Sequence, residues 1–231
     1  MPSKSNLPND SLIEHQPISA GADAFSKQMH GLMNGHPKDE AAVSRAIDDM
    51  DDTVELIAAQ LYSMASMLVG EGEQSVRLVE SAIANAEVSA CHDLEEARKS
   101  ARRALVAAAL KLLAQRNPGG LAAPDGLKPA STCIEDDDLA SAGISSAELE
   151  KMIGGPERDR VRSWLESLPT AQRTVFVLRA VAGFATPETC TLLQTHGGAQ
   201  AAGWTPETVR EVFRQGLCSL ASQLLHASAE R

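Results

Sequence analysis

The chain has 231 residues, 43% hydrophobic but only 3% aromatic, enough apolar material for one large helical core or two small ones. Its apolar residues are mostly Ala and Leu rather than β-branched, so an all-α fold is expected. The formal charge of −10 is uneven: the chain is close to neutral from Pro156 onward, and the acidic excess lies upstream. That distribution argues for protein partners over a broad phosphate footprint.

Residues 1–40 mix Pro, Ser, Asn, Gly and His without periodicity and read as a mobile arm, with Phe25, Met29, Leu32 and Met33 at helical spacing. Residues 41–117 read as a first helical domain. Val54, Ile57, Leu61, Met64 and Leu68 recur at steps of three and four, behind the acids Asp48, Asp49, Asp51 and Asp52, and the pattern stops at Gly70-Glu71-Gly72. A second helix from about Ser75 places Val76, Val79, Ile83 and Ala86 on one face. A third, from about Asp93 to Gln115, has Leu94, Ala101, Leu105, Ala108 and Leu112 as its apolar face and ends at Asn117-Pro118-Gly119-Gly120.

Residues 118–155 turn to Pro, Gly, Ser and Asp, with the acidic run Glu135-Asp136-Asp137-Asp138, and read as a flexible acidic linker. A short helix from Ser146 to Ile153 interrupts it. Residues 156–231 predict a second domain of four helices. Pro156 opens the first, which ends near Leu168-Pro169, and the second carries Val175, Phe176, Leu178 and Val181 to a cap at Gly183. The phrase Thr-Pro-Glu-Thr then occurs twice, at Thr186–Thr189 and Thr205–Thr208. Each copy reads as a helix start, with Thr as N-cap, Pro at the first helical position and Glu near the positive end of the dipole. Two starts so close together predict a helix-turn-helix and point to nucleic acid.

The run Leu168-Pro169-Thr170-Ala171-Gln172-Arg173-Thr174-Val175-Phe176-Val177-Leu178-Arg179 resembles the opening of region four in bacterial RNA polymerase sigma factors of the extracytoplasmic-function type. Thr186-Pro187-Glu188 and Thr208-Val209-Arg210 stand where that family starts its two helices. Leu78-Val79-Glu80 resembles the acidic Leu-Val-Gln element of region two, and Ala101 through Arg116 its long Trp-Leu…Ile-Ala-Arg helix. The likeness runs from about Asp48 to Leu225. It implies core RNA polymerase and promoter DNA as partners, with the −10 element read by the first domain and the −35 element by the second. It also implies polymerase contacts through Leu78, Val79 and Glu80. The chain departs from the family in having no aromatic residue between Ala101 and Arg116 and in carrying Arg77 and Ser81 where acids are usual. Eleven residues from Gln194 to Trp204 fill the turn, where three or four are standard. These departures motivate an alternative: a sigma-like module that binds an anti-sigma factor or another regulator without starting transcription.

On the last helix, Thr205, Thr208, Arg210, Arg214 and Gln215 are the candidates for DNA contact, since Arg pairs with guanine edges or phosphate and Gln reads adenine. The competing reading is a solvated surface of Glu207 with Arg210 and of Glu211 with Arg214 or Gln215. Arg98, Lys99, Arg102 and Arg103 are the densest basic cluster, directed either at promoter phosphates or at Glu95, Glu96 and neighbouring helices. Trp164 and Trp204 sit beside apolar positions and read as packing residues. No catalytic motif, cofactor loop or metal-ligand spacing stands out, so the chain reads as a non-enzyme without cofactor or metal. Cys91, Cys133, Cys190 and Cys218 are scattered, and neither a membrane-length run nor a signal pattern is present, so cytoplasmic localisation is expected.

Overall fold

The computed structural model describes residues 57–85, 94–124, 134 and 138–229, and among them the regular elements are all helical. The arm 1–40, the acids Asp48 to Asp52, Val54, Ala86, Cys91, Cys133 and the run Glu135 to Asp137 lie outside the described residues.

Helix α1 runs through 57–69 and buries Leu61, Met64, Ala65 and Leu68, one stripe of the 3.6-residue period. It stops where the sequence says: Gly70 takes φ +94° and donates to Ser66 O at 3.0 Å, and Gly72 takes φ +123°. Helix α2, Glu73–Asn85, corrects the expected face. Ser75, Leu78, Val79 and Ala82 are buried, while Val76 and Ile83 are 43% and 44% exposed. The sequence carries two apolar stripes here. The Ser75 hydroxyl, donating to Gly70 O at 2.5 Å, helps hold the other one inward.

Helix α3, Leu94–Arg116, packs on α2 along one side and on α7 along another. Two buried rows result, Ala101–Leu105–Ala109 and Val106–Leu110–Leu113, so Ala108 and Leu112 are only half-buried at the margins of the expected face. A central helix has two partners, and a single-face reading finds one of them. The stretch expected as a linker contributes Leu121, Ile134, Ile144 and Leu149 to the core. Helix α4, Ser146–Gly154, matches the predicted short helix and opens with a capping box: Glu148 N–H donates to Ser145 Oγ at 3.2 Å, and Ser145 N–H to the Glu148 carboxylate at 2.8 Å.

Helix α5, Arg158–Ser167, begins two residues beyond Pro156, which lies in the preceding turn. Helix α6, Thr170–Phe176, runs into a wider π-turn, Val177–Val181, closed by Ala182 N–H on Val177 O at 2.9 Å. Gly183, at φ +72°, caps it as expected. Then come α7, Thr186–His196, a 3-10 turn, Ala199–Gly203, and α8, Pro206–Ala229.

Trp164 meets Phe176 edge to face at 4.9 Å, and Phe176 lies 5.8 Å from Phe213. These rings, together with Trp204, anchor a buried core running from Leu61 to Leu220. Asp52–Arg231 cluster as one compact unit, in which α3 packs directly on α7.

Candidate nucleic-acid interface

The two Thr-Pro-Glu-Thr phrases fold differently. Thr205 is the N-cap of α8: its Oγ1 accepts Thr208 N–H at 3.1 Å and lies 3.0 Å from Thr208 Oγ1. The first phrase starts one residue earlier than expected. Ala185 occupies the cap position, and Thr186 is a buried residue of the first turn. Glu188 supplies the reciprocal half of a capping box, its carboxylate accepting Ala185 N–H at 3.2 Å. That bond, and then the Arg103 guanidinium, hold the Glu188 carboxyl below the usual carboxylate range.

The turn between α7 and α8 is pinned. Trp204 Nε1 donates to Leu121 O at 2.8 Å, and Trp204 O accepts Gln194 Nε2 at 2.7 Å. A Cβ on Gly198 would lie 3.3 Å from that of Ala114, so α3 passes close by. Both tryptophans are buried, as the packing reading expected. His196 sits half-buried near Lys111, and burial followed by that charge lowers its pKa. The buried Cys190 thiol is pushed up by desolvation.

Along α8 the expected contact residues divide. Thr205 and Thr208 serve the cap. Arg210 is 51% exposed and 3.9 Å from Glu207, a loose pair open to solvent. Arg214 instead clamps the chain, with Nε and Nη2 donating to Ile134 O at 2.9 and 2.6 Å and Nη1 lying 3.5 Å from Glu211. Gln215 Nε2 donates to Glu211 at 3.4 Å. For Glu211 with Arg214 and Gln215, the side-chain pairing considered from the sequence is the one present.

The basic cluster on α3 also divides. Arg98 pairs with Glu95 at 2.6 Å, Lys99 is exposed, and Arg103 reaches Glu188 on α7 at 2.5 Å. Arg102 turns toward a recess between α1 and α4. On α2, Leu78 and Val79 are buried in the core, leaving Glu80 as the exposed member of that triad, flanked on its face by Val76 and Ile83.

Sequence reasoning missed the contacts of three arginines. Arg179 stacks 5.0 Å over Phe213 and donates to Phe184 O at 3.1 Å. Arg158 pairs with Glu71 at 2.7 Å, and Arg162 pairs with the same carboxylate. Their partners are distant in sequence or are backbone carbonyls, and no local pattern signals either. No group of three His, Cys, Asp or Glu side chains among the described residues is placed to hold a metal, and no described helix is long and apolar enough to cross a membrane.

Comparison with protein-family models, with curated proteins and with solved structures gives no match.

Proposed function

We propose that this chain is a sigma-like transcription-initiation protein of the cytoplasm that binds core RNA polymerase and promoter DNA. The observation that supports this most is the leading end of α8. A capped helix start follows a pinned turn and a preceding helix, with Arg210 open to solvent one turn in. A helix N-terminus carries free N–H groups and a positive dipole end, which suit a phosphate, and Arg210 supplies a base-edge or phosphate contact. Lys99 is an exposed cation of α3 that would meet promoter phosphates, and Glu80, between Val76 and Ile83, would face polymerase. With few cations directed at phosphate, affinity for DNA alone is weak and its salt dependence shallow, so polymerase supplies much of the binding. Co-elution with core polymerase, and promoter retention that Arg210→Glu abolishes, is the expected result; failure of both opposes the reading.

A second reading, a sigma-like module held by an anti-sigma factor or other regulator, draws support from how many cations are engaged internally. Arg103 is held by Glu188 and Arg214 by Ile134 O, in a chain of charge −10. Stable binding of a purified anti-sigma-type partner, with no binding of core polymerase, favours it.

A further inference from the structure

Helices α1 and α4 do not close on one another. Between them lies a recess of about 380 Å³, walled by α3 and by the end of the π-turn. Its floor is apolar, with Met64, Leu149, Ile153 and Val181 buried or half-buried. Arg102 is its cation. The other arginines of that basic cluster have acidic partners, Glu95 for Arg98 and Glu188 for Arg103. Arg102, half-buried, has none among the described residues. The π-turn is the second feature. Its last residues, Ala180 and Val181, line the recess, and such widened turns recur at functional sites.

We propose that this recess binds a small organic monocarboxylate with an apolar body, its carboxylate held by Arg102. The volume falls within the ~300–1,000 Å³ of ordinary ligand pockets, toward the small end. An apolar floor with one cation unpaired among the described residues selects an amphiphile rather than a sugar or a nucleotide. The charge on the rim sets the head group: Glu150, exposed at the mouth, opposes a dianion such as a phosphate monoester more strongly than a single carboxylate. A guanidinium gives a carboxylate two parallel charge-assisted hydrogen bonds, and a half-buried one does so with less competition from water. Arg102 lies one turn from Lys99 on α3, so the recess adjoins the surface proposed for promoter phosphates, but the assignment does not depend on that reading.

Octanoate and its uncharged counterpart 1-octanol, titrated calorimetrically into the full chain, test the assignment. Saturable one-to-one binding of octanoate is expected, with octanol at least about tenfold weaker, the scale of a lost charge-assisted hydrogen bond. Arg102→Gln should bring octanoate down to the level of octanol. Ala59→Trp, made at an exposed rim position where folding is little affected, should block both by filling the mouth. Ile83→Lys, on the exposed apolar pair of α2, should change neither. The proposal is overturned if octanoate fails to saturate, if octanol binds equally well, if Ala59→Trp leaves binding intact, or if Ile83→Lys removes it. Circular dichroism on each variant separates lost binding from lost fold. If Arg102→Gln unfolds, the octanol comparison and Ala59→Trp still decide.

Discussion

Arg103 on α3 and Glu188 in the first turn of α7 meet at 2.5 Å across 85 residues of chain. Because the same carboxylate accepts Ala185 N–H, one side chain both starts α7 and ties it to α3. The pair is 50% and 35% exposed, so its direct worth is modest, about 0.2–1 kcal/mol. The Ala185 N–H bond to the same carboxylate adds about 1.5–3 kcal/mol at most, on the glutamate side only. Urea unfolding should therefore show Glu188→Ala costing more than Arg103→Ala, with a double-mutant coupling inside that small range. Equal losses for the two variants would contradict the double role.

The same carboxylate gives a pH dependence. Its folded-state pKa is lowered, first by the Ala185 N–H and then by Arg103, so its stabilisation is complete above the unfolded carboxylate range near ~4.3. That stabilisation is lost as pH falls through the lower folded-state value. Melting temperatures of the native chain and of Glu188→Gln should differ at neutral pH and converge on strong acidification. A gap that widens toward acid would reverse the sign of this argument.

Arg214 makes its own prediction, because two of its N–H groups converge on Ile134 O. Arg214→Ala should cost about 1–3 kcal/mol in urea unfolding, the range for a charge-assisted bond whose acceptor is left unpaired. Arg214→Lys should recover only part, since an ammonium lacks the planar fork. Full recovery by Lys would mean that charge alone matters there.

Helix α8 approaches α6 through Gly216, where an added Cβ would lie 3.1 Å from Phe176 Cδ2. Helix propensity favours Ala over Gly by about 1 kcal/mol, while overpacking costs about 1–3 kcal/mol. Phe176 is held between Trp164 and Phe213 and has little room to shift, so overpacking wins. Gly216→Ala should lower the melting temperature; a rise would show that the Phe176 ring can yield.

Much of the helix layout was legible because it is written in local chemistry. The 3.6-residue spacing marks α1 and α3, Gly70 marks the stop of α1 and Gly183 that of the turn after α6, and Ser145 with Glu148 marks the start of α4. Facing was less legible. On α2 two stripes satisfy the same period, and the difference between them is made by tertiary packing on α3 and by a serine hydroxyl. The repeated phrase shows the limit most clearly: identical words give a threonine cap at Thr205 but an alanine cap at Ala185, because Thr186 is drawn into the core. Of the candidate site, Arg210 stands exposed as a surface reading requires, whereas the engagement of Arg103 and Arg214 depends on partners 85 and 80 residues away. No spacing rule reaches that far.

The account centres on α8 as the promoter-facing helix of a polymerase-binding protein. Its most direct test is retention of a labelled promoter fragment by core polymerase in the presence of the native chain or of Arg210→Glu, with polymerase co-elution measured in the same samples. The account predicts that both proteins co-elute with polymerase and that only the native chain retains the promoter. A native chain that does not associate with polymerase, or an Arg210→Glu chain that retains the promoter as well as the native one, would contradict it.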